Sequence, residues 1–344
     1  MGAFSAEVLA NLANVNLDFH VKGGIMSQII QDRPMFNDLW AGRQSFPGGK
    51  FIDGNVKGEY ESNLTGYTND DVATFKNPTK IKKWRTPWYE CQAGIKIPYT
   101  ELKENGISVN ESGGVEKASD HTGADMIRLA SILDDKYEDL LEGSKRSAAN
   151  MFWQDGTQDA LAIPGVLSLI SATPTVGSTM NISRSNTWWR NRASLGLSVT
   201  TPSDLKISEK LIAEMRQLRR FGTPKHKLYC GSAFLDSINA EYRSKGNFTL
   251  NNWSGGAAVD MAIADARMGS LTFQYDPHLD DLGYSKYCFV LDLNAIKFRP
   301  MEGEEWKTYT PHRPPEEFVL YSQLTMTGAI TANRLNSSGI YSIA

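Results

Sequence analysis

GADMIRLASILDDKYEDLLEGSKRSAANMF, residues 123–152, carries apolar side chains at steps of three and four: Met126, Leu129, Ala130, Leu133, Tyr137, Leu140, Leu141, Ala148, Met151 and Phe152. That period predicts an amphipathic helix. At 1.5 Å per residue the run reaches about 45 Å, well beyond the usual helix of about 11–12 residues. Gly143 is a place for a bend, and Asp155-Gly156 closes the helix.

Before this helix, residues 104–115 read as a loop. Residues 50–100 read as a long extended excursion, polar and aromatic-rich, with glycines at turn-prone places and strand-like alternation from Ala93 to Pro98. An isolated two-stranded ribbon is marginal in water, so the excursion needs a partner surface. Pro47-Gly48-Gly49 marks its start. Upstream, residues 25–41 mix Ile29, Ile30, Met35, Phe36, Leu39 and Trp40 with charges and Pro34, which reads as an arm lying on something else. Residues 5–17 fit a short helix with Val8, Leu9, Leu12 and Val15 on one face.

After the long helix, residues 165–202 read as an irregular Ser/Thr/Gly/Asn-rich connector holding aromatic anchors at Trp188 and Trp189. A second amphipathic helix is predicted over 203–221, with Leu211, Ile212, Met215 and Leu218 inward and Gly222 and Pro224 as stops. A short strand at 228–230, a helix at 232–243 and a loop at 244–257 follow. Strands are predicted at 271–275, 287–293, 295–298 and 318–330.

The 344 residues correspond to about two domains or one elaborated one. Lysine plus arginine is 36 and aspartate plus glutamate 39, a net charge of −3, which excludes a nucleic-acid binder driven by charge over the whole chain. No apolar stretch approaches the 18 or so residues of a membrane span. Cys91, Cys230 and Cys288 are far apart in sequence and form no CxxC pair, which argues against a disulfide framework or zinc knuckle and fits a reducing compartment. They read as inert core residues.

Little catalytic chemistry is encoded. Gly48-Gly49-Lys50 is followed by Phe51 where a phosphate loop requires Ser or Thr. Asp276-Pro277-His278-Leu279-Asp280-Asp281 could be read as a metal site, but the proline and nearby Gly283 favour a polar turn. His20, His121, His226 and His312 stand alone, without HExxH or a Gly-x-Ser-x-Gly elbow. The basic run Lys76, Lys80, Lys82, Lys83 and Arg85, interleaved with Trp84, reads as a solvated face or as a contact for an acidic protein surface; stacking on nucleic acid is a third use. No catalytic, cofactor or metal residue is assigned.

The order of parts is more informative than any motif. Arm, extended excursion, single long helix, α/β block and strand-rich return resemble the major capsid proteins of tailed bacteriophages, the Hong Kong 97-like fold. Ile95-Lys96-Ile97-Pro98, Phe152-Trp153-Gln154-Asp155-Gly156, Ile163-Pro164-Gly165-Val166, Trp188-Trp189-Arg190-Asn191, and the end from Gly328-Ala329-Ile330 to Gly339-Ile340-Tyr341 carry the likeness. The resemblance implies an α+β chain with an N-terminal arm at 1–48, an E-loop at 49–100, a P domain at 101–202 with a spine helix over about 120–153, an A domain at 203–302, and a return to the P domain at 303–344. It implies self-assembly into the pentamers and hexamers of an icosahedral head around DNA. Its implied partners are a separate scaffolding protein, since the arm starts almost at once, a portal, a decoration protein and DNA held by non-specific contact. The implied location is the virion, assembled in the bacterial cytoplasm. Phe36, Trp40, Lys80, Lys82, Lys83, Trp84, Arg85, Trp88 and Tyr89 are the expected subunit contacts, because arm and excursion carry aromatics they cannot bury alone. Two other readings stay open: an encapsulin-like storage shell, and a glycan- or host-binding module using exposed Trp188, Trp189 and Trp253.

Overall fold

The computed structural model describes residues 31–70, 72, 75, 77, 81–104, 123–220, 225–244, 267–268, 271–309 and 319–344. Met1–Asp32 forms one unit and Arg33–Ala344 the other, and the second is described below. Its helices are α1 (Pro34–Ala41), α2 (Tyr99–Glu104), α3 (Gly123–Trp153), α4 (Val166–Leu169), α5 (Lys206–Leu218), α6 (Ser232–Ser244) and α7 (Pro277–Asp281). Its strands are β1 (Ile52–Lys57), β2 (Ile81–Thr86), β3 (Tyr89–Pro98), β4 (Ser178–Thr179), β5 (Ile182–Ser183), β6 (Arg192–Leu197), β7 (His226–Cys230), β8 (Arg267–Met268), β9 (Leu271–Tyr275), β10 (Tyr287–Asp292), β11 (Ile296–Pro300), β12 (Lys307–Thr308), β13 (Val319–Ala332) and β14 (Gly339–Ile343).

A mixed six-stranded sheet, ordered β6-β14-β10-β7-β9-β8, separates two cores. Successive strand side chains face opposite ways, and both sets are apolar. Leu228, Cys230, Cys288, Val290, Tyr341 and Ile343 meet α5 and α6 through Leu211, Met215, Phe234 and Ile238. Tyr229, Phe289, Leu291 and Ile340 belong to the larger core with the end of α3. The N-cap position of α5 is Leu205, whose φ is +52° and whose side chain cannot cap. Glu241 of α6 does that work. Its carboxylate accepts from the Ile207 and Ser208 amides at 2.8 and 3.0 Å and from Ser208 Oγ at 2.7 Å, placing negative charge at a helix N-terminus.

The second sheet is built on β13. One edge pairs with β3, from Val319↔Pro98 to Gly328↔Tyr89. The other takes β12 and then β11. Helix α3 lies against this sheet. Leu140, Ser144, Ala148 and Phe152, four apart, are buried with Ala149 and Trp153. The helix runs unbroken through Gly143, and the chain then turns at Gly156, φ +84°. Gly165 returns beneath the helix end, its amide donating to Gln154 O at 2.7 Å. Here a Cβ would stand 2.3 Å from Phe152 O, so only glycine fits.

Several elements differ from the sequence reading. Residues 192–197 within the expected connector form β6, paired in parallel with β14. RASLGL does alternate, with Ala193, Leu195 and Leu197 at every second position, but it is short, sits among Ser, Thr and Gly, and its pairing partner is almost 150 residues away. The 93–98 strand belongs to the β13 sheet; the two-stranded part of the excursion is β1 with β2. Of the 25–41 segment expected to lie on something else, Arg33 is stitched to its own chain, as are Gln44 and Phe46 just after it. Arg33 pairs with Glu142, Gln44 N donates to Phe298 O, and Phe46 N donates to Pro300 O. The expected features at 5–17, 105–115 and 245–257 lie outside the described residues.

Candidate assembly surface

The excursion is held at its base and bare at its end. Strand β1 pairs antiparallel with β2 from Ile52↔Thr86 to Lys57↔Ile81. One face of this ribbon presents Ile52, Trp84 and Thr86, all buried. Gly54 is opposite Trp84 and leaves room for its ring, and Gly58 rests on Trp188. The Arg85 amide donates to Met180 O at 3.1 Å, joining the ribbon to the β4–β5 turn. Trp88 Nε1 donates to Gly49 O at 2.8 Å and ties down the other root of the excursion.

Beyond Gly58 large apolar side chains are no longer covered. Tyr60, Leu64, Tyr67, Val72 and Phe75 are exposed, from 79% for Tyr67 to 105% for Leu64. Lys57 Nζ stands 4.1 Å from the Tyr60 ring, a cation–π contact that leaves the ring in solvent. Five large apolar side chains uncovered within one 16-residue stretch mark a surface made for another molecule. The sequence reading missed them, because Ser, Asn, Thr and Gly between them erase any helical or strand period.

The nine expected contact residues divide. Lys82, Lys83 and Arg85 are exposed, and Trp88 and Tyr89 are half-buried. Asp53 gathers two of the cations on the ribbon's solvent face, with Lys83 Nζ at 2.6 Å and Arg85 at 3.7 Å. Hydrogen bonding from Lys83 holds the Asp53 carboxyl below its usual range, against some opposing desolvation. Burial raises the Tyr89 phenol. Phe36 and Trp84 spend their surface inside their own chain; Trp84 is only 2% exposed. Trp40 is half-buried in an aromatic group, with Phe36, Phe298 and Trp306 centroids at 5.8, 5.6 and 5.5 Å. Lys80 lies outside the described residues.

The chemical alternatives find little support. Asp276 caps α7 by accepting from His278 N and also accepts from Trp153 Nε1, both at 3.1 Å. Asp280 accepts from Ser232 N and the Tyr275 hydroxyl. Two of the three carboxylates of the suspected metal cluster thus join α7 to its neighbours. Among the described residues no group of three or more His, Cys, Asp or Glu side chains could hold a metal ion, and no helix is long and apolar enough to cross a membrane. Trp189, expected exposed by the glycan reading, is fully buried and donates to Thr179 O at 3.1 Å. Trp188 is half-buried, and Trp253 lies outside the described residues.

No family model and no curated protein matches the sequence. The structure has many likenesses. One chain of the cyanophage A-1(L) capsid superposes with a TM-score of 0.65 at 13% identity, covering 93% of this chain and 94% of that one. The fold is that of a phage capsid protein. The capsid fold is matched also in the native GTA particle, at a TM-score of 0.56 and 11% identity over 95% of this chain and 96% of that one. The capsid of Myoviridae phage XM1 gives 0.54 and 13% over 100% and 99%. In each case the likeness extends over nearly the full length of both chains.

Proposed function

We propose that the chain is the major capsid subunit of a tailed bacteriophage, assembling with copies of itself into the pentamers and hexamers of an icosahedral head around DNA. The observation that carries this reading is a capsid fold, matched end to end, whose excursion leaves five large apolar side chains uncovered. On this reading the excursion is the E-loop, α3 the spine helix of the P domain, and the sheet with α5 and α6 the A domain. The Hong Kong 97-like divisions at 48, 100, 202 and 302 belong to the same proposal. The role is structural rather than enzymatic.

The mechanism is burial. Each exposed Leu, Phe or Tyr covered by a neighbour contributes about 1.5–3 kcal/mol, and a standard interface buries about 1,600 Å². Single contacts of that size are reversible; a closed shell engages many at once and resists dissociation. Lys82, Lys83 and Arg85 supply a cationic edge beside the apolar loop, suited to an acidic patch on the next subunit, and Trp88 and Tyr89 flank it. A scaffolding protein, a portal, a decoration protein and non-specifically held DNA are the further partners, and the virion is the location.

Negative-stain electron microscopy and light scattering on the purified chain, with and without scaffold, test the proposal. Shells or hexamer-sized rings are expected. A monomer under every condition overturns it. Shells that co-purify with an enzyme and no nucleic acid would replace it with a storage shell.

A further inference from the structure

Cys230 and Cys288 are 58 residues apart in sequence and face each other across the sheet. They occupy matched positions in the antiparallel β7–β10 pair, with Sγ atoms 3.2 Å apart. Both are free thiols, fully buried between the six-stranded sheet and α5 and α6. We infer that this pair is a site of reversible oxidation, closing to a cross-strand disulfide that staples β7 to β10.

The backbone already meets the geometric requirement. Directly opposed residues of an antiparallel pair have Cα atoms about 4.5–5.5 Å apart, inside the 4.4–6.8 Å range of disulfides. A modest χ1 rotation of the two side chains closes the remaining gap to an S–S bond of about 2.05 Å. The third cysteine, Cys91, is on β3 with its Sγ 3.9 Å from Met151 Sδ, in a different core. The pairing is therefore unambiguous. The bond would close a chain segment spanning α6, β9 and α7, and the long loop removes much conformational freedom from the unfolded chain.

The oxidant is a small-molecule disulfide. One protein thiolate attacks it, breaking its S–S bond, forming a mixed disulfide and releasing one small thiol. The opposed cysteine then loses its proton and attacks the mixed disulfide, forming the protein bond and releasing the second small thiol. Two protein thiols are oxidised and one small disulfide is reduced to two thiols. Burial, with the neighbouring thiol, raises the Cys230 thiol well above its usual range, so attack waits on local opening of the sheet. A dithiol so protected persists through synthesis in a reducing cytoplasm and is available once a particle reaches an oxidising exterior. That timing rests on the capsid reading; the bond itself does not.

The full-length protein, unassembled and assembled in parallel, is equilibrated with graded mixtures of oxidised and reduced glutathione. The same titration is run in denaturant. Samples are quenched by alkylation, and the peptides 228–243 and 287–297 are followed by mass spectrometry. The native chain is expected to link these peptides at a glutathione ratio at least tenfold more reducing than the denatured chain needs, equivalent to about 1.4 kcal/mol. Cys288→Ser should abolish the linked peptide while Cys91 stays free. The inference is overturned if the native chain retains all three thiols where the denatured chain is cross-linked, or if Cys91 enters the bond. Linkage in the unassembled chain is independent of shell formation, so failure here leaves the capsid reading standing, and failure to form shells leaves this inference standing.

Discussion

Gly54 is directly opposite Trp84 in the β1–β2 ladder, and a Cβ added at Gly54 would stand 2.6 Å from the buried indole. This one relationship roots the excursion on its own chain, since the Trp84 ring fills the space that any other residue at 54 would claim. Gly54→Ala should displace the ring and lower stability by about 1–3 kcal/mol, the usual cost of overpacking. Thermal unfolding with tryptophan fluorescence checks it; an unchanged midpoint and spectrum would show that the ribbon is not seated this way.

Gly165→Ala should cost more than Gly54→Ala. Here the added Cβ meets Phe152 O at 2.3 Å and Met151 O at 2.4 Å, backbone atoms at the end of α3 that cannot rotate away. Side-by-side denaturant titrations of the two variants give the order, and the Gly165 variant should show the lower midpoint.

The exposed loop should be dispensable for folding and needed for assembly. Tyr60→Ser, Leu64→Ser and Tyr67→Ser combined remove three uncovered apolar side chains. Each should change unfolding stability by less than about 0.5 kcal/mol, as exposed substitutions usually do. Light scattering should nonetheless show loss of higher assemblies at an unchanged melting temperature.

Asp38 accepts from the Tyr229 hydroxyl at 2.5 Å and from Lys227 Nζ at 2.8 Å, fastening α1 to β7. Burial, reinforced by the Asp38 carboxylate, pushes the Tyr229 phenol far up, so it stays a donor at all ordinary pH. Asp38→Ala strands that buried hydroxyl and should cost about 1–3 kcal/mol. In the Tyr229→Phe background the same change should cost less, and a double-mutant cycle by chemical denaturation measures the difference.

His278 is buried, and neither ring nitrogen has a hydrogen-bond partner among the described residues. Burial lowers its pKa, assisted by Arg33 and Arg146 and opposed by Asp281. The folded pKa lies below the unfolded value of about 6.5, so the unfolded chain binds the proton first. This contribution to stability is full above about pH 6.5 and is lost as pH falls through the folded pKa. His278→Leu should flatten the stability profile below pH 6.5 without loss at pH 7.5. A profile that still falls with the same slope would assign the acid sensitivity to other groups.

The long helix was legible in the sequence because its signal is local. Spacing of three and four brings Leu140, Ala148 and Phe152 to one face whatever they pack against, and the helix ends one residue from the expected place, at Trp153. Strands β7 and β10 were legible for a related reason, since a strand buried on both faces is a dense apolar run, as in Tyr287–Leu291, and β9 shows alternation in Leu271, Phe273 and Tyr275. The order of these elements was enough to point to the capsid fold that the superpositions show. Tertiary structure alone decided the rest. Arg192–Leu197 is a strand because β14 offers it a free edge. Trp84 is buried because the ribbon packs on its own chain, with Arg85 bonded to Met180 and Gly58 against Trp188, while the side chains of Tyr60, Leu64 and Tyr67 stay exposed. Cys230 and Cys288 become neighbours only through the register of β7 with β10. Period and propensity act over a few residues, so they specify elements; burial, edge pairing and opposed thiols depend on residues tens to hundreds of positions away, and only the folded chain brings those together.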